Sequence, residues 1–167
     1  NVPLGKDGAI ADDTRIRESL ATIRYLLKKK AIVLVLSHLG RPEGVDEKLR
    51  MDAVAERLEE LLGQHVLKLD DCVGAEVEDY VNEMHSRDVA VLENVRFHPE
   101  EEADDDAFAR ALSETADFFV NDAFGSSHRP HASIVGVPKY LPSAAGLLLD
   151  KEIAMLGRAL KPKKPFV

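Results

Sequence analysis

The 167-residue sequence has a single cysteine, Cys72. It can therefore build neither an internal disulfide nor a cysteine metal site, and a lone thiol suits a reducing cytosol. No apolar run reaches bilayer-spanning length, and no segment pairs a basic start with the apolar middle of a secretory signal. These absences predict a cytoplasmic protein without a membrane partner. Positive charge is short as well, with 22 Lys and Arg against 30 Asp and Glu and a net charge of −8. Such a chain repels a phosphate backbone, which argues against nucleic-acid binding. Neither a G-x-x-x-x-G-K-[ST] loop nor a G-x-G-x-x-G turn occurs, so no nucleotide-phosphate loop is recognisable, and no internal repeat or low-complexity tract is present. What remains is an ordinary apolar fraction of 45%. That is enough for the core of one α/β domain, or one domain and a piece of the next.

Apolar spacing organises the chain. Ile16, Leu20, Ile23 and Leu27 recur at helical intervals and predict a helix over about 13–30, capped by Asp13 or Thr14. Further helices are expected at about 49–62, ended by Gly63, at 73–84, from 107 to 112 and at 148–160. Between them lie short apolar runs at 31–36, 65–67, 88–92 and 117–121 that predict strands. Strands alternating with helices over crossover-length connections predict an α/β fold with a doubly wound, mostly parallel sheet and helices on both faces. The stretch 122–146 reads as a long loop. The acidic run 100–106 reads as a solvated face, with His98 exposed beside it. Asn1-Val2-Pro3 resembles the exit of a strand, and Pro165-Phe166-Val167 begins an apolar run, so a piece of a longer protein is expected. Residues 1–147 are assigned to one domain, and 148–167 to a helix, a basic hinge at Lys161–Pro165 and the start of a second domain.

Positive charge is concentrated where strands end. The run at 31–36 leads into Ser37-His38-Leu39-Gly40-Arg41, the run at 88–92 into Glu93-Asn94-Val95-Arg96, and the run at 117–121 into His128-Arg129-Pro130-His131. Ligands of open α/β sheets bind outside the carboxyl ends of strands, and the arginine fork suits phosphate and carboxylate. A single site for a small, multiply charged anion follows. The histidines are expected to donate hydrogen bonds rather than hold a metal, because a cationic neighbourhood opposes a dication. Gly40 either lets backbone approach a ligand or makes a turn, and Asp122 is expected to fix a turn rather than act as a base.

The ordered set Asn1-Val2-Pro3, Asp13-Thr14-Arg15-Ile16-Arg17, Ser37-His38-Leu39-Gly40-Arg41-Pro42, Leu92-Glu93-Asn94-Val95-Arg96-Phe97, Val120-Asn121-Asp122-Ala123-Phe124-Gly125, His128-Arg129-Pro130-His131-Ala132-Ser133 and Lys164-Pro165-Phe166-Val167 resembles the phosphoglycerate kinase family. The resemblance implies the N-terminal, Rossmann-like lobe of a two-domain, monomeric kinase of glycolysis. It implies phosphoryl transfer between 1,3-bisphosphoglycerate and ADP, giving 3-phosphoglycerate and ATP. It places substrate contacts at Asn1, Arg15, His38, Leu39, Gly40, Arg41, Arg96, His128, Arg129 and His131, with Arg15 as the catalytic residue. Mg2+ and the nucleotide would be held by a C-terminal domain, with no cofactor or metal on this chain. The chain alone would then be inactive, and the apolar helix at 148–160 would leave it prone to self-association. Arg57, on the helix at 49–62, would lie away from the site. The competing reading is a non-enzymatic anion-binding α/β module.

Overall fold

A computed structural model describes residues 2–5 and 8–160, with side chains through residue 158. Asn1 and the proposed hinge at 161–165 lie outside the described residues. In chain order the regular elements are α1 (Thr14–Lys28), β1 (Val33–Val35), α2 (Asp52–Leu62), β2 (Leu67–Lys68), α3 (Ala75–Glu83), β3 (Val89–Val91), α4 (Asp106–Glu114), β4 (Phe119–Asn121), β5 (Ser143–Ala145) and α5 (Leu147–Leu160).

Strand β3 shows why the fold is doubly wound. Successive side chains of a strand point to opposite faces, and every residue from Val89 to Leu92 is apolar and buried. Val89 and Val91 enter one core with Ile16, Leu20 and Ile23 of α1 and Val54 and Leu58 of α2. Ala90 and Leu92 enter a second core with Val77 of α3 and Phe108 and Leu112 of α4. An apolar run without alternation is what a strand covered on both faces requires. Each fully buried Val or Leu contributes about 1.5–3 kcal/mol relative to exposure.

The strands form two parallel ladders, β1-β3-β2 and β4-β5. The order places β1 beside β3 although α2 and β2 intervene in sequence, so the loops leaving those two strands emerge side by side. Strand β5 and the helical turns at Phe124–Ser126, Ala132–Gly136 and Val137–Lys139 lie in the stretch expected to be loop. Ser143-Ala144-Ala145 has none of the β-branched or aromatic residues that mark a strand; pairing with β4 makes it one.

Helix ends follow local chemistry. Gly63 stops α2 with φ of +70°, its N–H donating to the Glu59 carbonyl. The Asp105 carboxylate caps α4 by accepting from the Phe108 N–H. Asp13 occupies the cap position of α1 but makes no capping bond. Its carboxylate instead accepts from Arg17 and from two nitrogens of Arg57, and Asp12 takes the Thr14 N–H. Asp122 caps α5, accepting from the N–H groups of Leu148 and Leu149, while its second oxygen takes the Thr22 hydroxyl of α1. No described helix is long and apolar enough to cross a membrane.

Candidate anion site

The exits of β1 and β3 are sewn together by backbone. The Leu92 N–H donates to the Val35 carbonyl at 3.0 Å and the Val95 N–H to the Ser37 carbonyl at 3.2 Å. Beyond them the β1 exit turns at Gly40, where φ is +64° and an added Cβ would meet both methyls of Leu49 at 2.9 Å. The positive φ favours glycine there, and any larger residue would also have to displace the Leu49 side chain. The Gly40 carbonyl accepts from Arg96 Nη1 at 2.8 Å.

Arg96 is the centre of the arrangement. Its side chain is 4% exposed, and its Nε and Nη2 are buried without a hydrogen-bond partner. Nε lies 3.2 Å from Glu102 Oε1, an ion-pair distance without hydrogen-bond alignment. Burial lowers the Arg96 pKa, and Arg129 and Arg41 lower it further, against the pull of Glu102 and Glu101. Arg41 and Arg129 thus each sit close enough to act on Arg96. His38 joins them. Desolvation first, then nearby positive charges led by Arg96 and including Arg129, lower its pKa to about 3, so the imidazole is neutral at physiological pH. A neutral ring offers one N–H to an anion.

The structure therefore brings together His38, Arg41, Arg96, Arg129 and His131. Leu39 is buried behind them. Arg15 stands exposed on the first turn of α1, and His128 is exposed in the turn before Arg129. Asn1 lies outside the described residues.

The His38 shift has a checkable sign. Its folded pKa of about 3 lies below the ordinary 6.5, so the unfolded chain takes up a proton that the folded chain refuses. This contribution to stability is whole above about 6.5 and is lost as pH falls toward about 3. His38→Gln should flatten that acid loss in urea titrations. In the native protein the His38 ring signals should not move between about pH 5 and 8, where an ordinary histidine titrates. A normal titration midpoint would contradict the burial argument.

Two expectations are corrected by the structure. The acidic run is not simply a solvated face. Glu101 is 2% exposed, and its carboxylate accepts from the Ser133 N–H at 2.8 Å and the Ser133 hydroxyl at 2.6 Å. His131 Nδ1 lies 3.6 Å from the same carboxylate. Sequence pattern gave no signal for this, because an acidic residue in an acidic run resembles surface. His98 is half-buried rather than exposed, packed on Phe108 with ring centroids 5.0 Å apart and bonded to Asp71 at 2.7 Å. Arg57 pairs with Asp13 before α1 and with Glu60 of its own helix.

Asp71, Cys72 and His98 do place three ligand-type atoms within 4.8 Å. Their arrangement is that of a hydrogen-bonded pair beside a buried thiol. Asp71 Oδ1 lies 2.7 Å from His98 Nε2 and accepts from the Cys72 N–H at 2.6 Å. Two ligands on one tetrahedral zinc would stand roughly 3.3 Å apart. Burial, then the Asp71 and Glu101 charges, push the Cys72 thiol up, away from the thiolate a metal needs.

Fold and charge together define a parallel α/β domain with a cationic cluster in the loops that follow its strands. The phosphoglycerate kinase family model matches residues 1–167. Over the whole chain the sequence is 56% identical to the phosphoglycerate kinase of Dictyoglomus turgidum and 57% identical to that of Moorella thermoacetica. It spans 42% and 43% of those two relatives. The crystal structure of phosphoglycerate kinase from Pyrococcus horikoshii superimposes with a TM-score of 0.90 at 38% identity, over 98% of this chain and 42% of that one. The chain belongs to the phosphoglycerate kinase family and corresponds to the N-terminal part of its longer relatives.

Proposed function

We propose that this chain supplies the 3-phosphoglycerate site of a cytoplasmic phosphoglycerate kinase. The observation that carries the reading is Arg96, a buried guanidinium with two unpartnered nitrogens among Arg41, Arg129 and the neutral His38. Leaving charged donors buried without a hydrogen-bond acceptor is unfavourable, so the arrangement makes sense as a site prepared for an anion. In this reading Arg41, Arg96 and Arg129 hold the distal phosphate, helped by His38, His128, His131 and the Leu39–Gly40 backbone. Arg15 aligns the transferring phosphoryl group with the substrate carboxylate, and Asn1 completes the contacts. A carboxylate is already ionised at neutral pH, so the reaction asks for alignment and charge neutralisation rather than a general base.

The cationic cluster is a poor match for Mg2+, which takes oxygen ligands, and Glu101 is committed to Ser133. Mg2+ and the nucleotide would accordingly be held by the remainder of the longer protein. Helix α5 fits that division. Leu147, Ile153, Met155 and Leu156 are exposed on it, each at least 46%, and such uncovered apolar surface suits contact with a second domain of a monomeric enzyme.

The test is calorimetric titration of the full-length protein with 3-phosphoglycerate at low and moderate salt. Arg129→Ala and Arg41→Ala should each weaken binding about tenfold or more, which is about 1.4 kcal/mol per decade, and added salt should weaken it further. Lys28→Ala, at the far end of α1, should leave it unchanged. The 167-residue chain alone should show no phosphoryl transfer, since one lobe cannot align both substrates. Wild-type affinity in both arginine variants would overturn the assignment.

A further inference from the structure

Asn94 and Glu101 flank the Arg96 turn, and the polar side chain of each ties that segment to a different neighbouring loop. Asn94 is 0% exposed. Its Oδ1 accepts from the Leu39 N–H at 3.1 Å and the Arg96 N–H at 3.2 Å. Its Nδ2 donates to the carbonyls of Leu39 at 2.8 Å and Leu49 at 2.9 Å. All four hydrogen-bonding positions of the amide are used, and three of them fix Leu39 and Arg96 relative to one another. Glu101 does the same on the other side. Its backbone carbonyl accepts from the Ala132 N–H at 2.9 Å, and its carboxylate takes both donors of Ser133. The loop carrying Arg129 and His131 is thereby tied to the segment carrying Arg96.

We propose that Asn94 and Glu101 are positioning residues that hold the His38–Arg41 loop and the Arg129–His131 loop in register with Arg96. The proposal rests on the anion-site reading above and deepens it. Three loops from different strands bear mutually repelling cations, and without ligand those charges favour spreading. Short, buried, neutral-to-anionic tethers at the base of the cluster oppose that spreading while taking up none of the arginine side-chain donors. Neither residue needs to touch the substrate.

The experiment uses the full-length protein and reads the 3-phosphoglycerate dissociation constant alongside that of Mg-ADP. Asn94→Ala should weaken 3-phosphoglycerate at least tenfold, and Glu101→Gln three- to tenfold, at a temperature where circular dichroism shows both variants folded. Mg-ADP affinity should change by less than twofold. Ser133→Ala removes only one hydroxyl from the second tether and should weaken 3-phosphoglycerate about threefold, with Ser133→Thr restoring it. Should Asn94→Ala fail to fold, the Glu101 and Ser133 variants decide the matter. Folded variants that melt earlier but bind 3-phosphoglycerate with wild-type affinity would overturn the proposal, reducing these contacts to ordinary stabilisation. Arg96→Ala separates the two ideas. If it leaves 3-phosphoglycerate affinity intact, the anion-site reading has failed; if it abolishes binding while the tether variants bind normally, only the positioning role has.

Discussion

Arg96→Met is expected to weaken 3-phosphoglycerate binding by about 100-fold or more while making the ligand-free protein more stable. Two free guanidinium nitrogens are buried at this position. Each charge-assisted hydrogen bond to a phosphate contributes roughly 1.5–3 kcal/mol, so losing two costs at least two decades of affinity. Without ligand the same nitrogens are buried beside Arg41 and Arg129 with no hydrogen-bond partner, Nε meeting only the exposed Glu102 carboxylate as an ion pair. Methionine fills similar volume without a charge, and relieving an unsatisfied buried group is worth about 1–3 kcal/mol. Against that stand the lost bond to the Gly40 carbonyl and the lost ion pair with the exposed Glu102. A net gain of about 1 kcal/mol would appear as roughly 2–4 °C in melting temperature for a domain of this size. Calorimetric titration and thermal melting of one variant test both halves. A variant that melts lower and binds as well as wild type would show that Arg96 is a structural cation.

The second large effect is expected at Glu93, whose side chain is 3% exposed. Oε1 accepts from the backbone N–H groups of Met51 and Asn94 at 2.9 and 2.7 Å. Oε2 accepts from Arg50 Nη1 at 3.0 Å and Lys68 Nζ at 2.6 Å. Removing one partner from a buried ionic cluster costs about 3–5 kcal/mol, so Glu93→Ala should lower stability by that amount in urea unfolding. Because the carboxylate sits directly behind Asn94, the β1 and β3 exits should lose amide-exchange protection with it. Glu47, which meets Arg50 from the solvent side and is 77% exposed, is the control. Glu47→Ala should change little, since exposed pairs are screened and cost side-chain entropy to hold. Equal losses at the two glutamates would refute the burial argument.

Local pattern made much of the fold legible. Strand β3 is readable because Val89 to Leu92 is apolar in both phases. Helix α2 is readable because its apolar spacing stops at a glycine able to take positive φ. Strand β5 was not legible, because Ser143-Ala144-Ala145 becomes a strand only through the register it shares with β4. Asp122 shows an intermediate case. It was expected to fix a local turn, and it does order backbone, but it does so by capping α5 and binding Thr22, a hundred residues upstream.

The cations of the site were visible as residue types in the sequence, since arginines and histidines clustered after apolar runs stand out in an acidic chain. Their separate conditions were not visible. Arg15 and Arg41 are exposed, whereas Arg96 is buried with donors unpaired, and His38 is neutral. Glu101 and Asn94 carried no local signal, because their partners lie 32 and 55 positions away. By itself the sequence determined the family, the alternation of strands and helices, and the identity of the cationic residues, because these depend on residue type, order and short-range period. Which charges are desolvated, and which polar groups hold the loops in place, was decided only by the tertiary structure, because burial and pairing depend on the elements packed around each group.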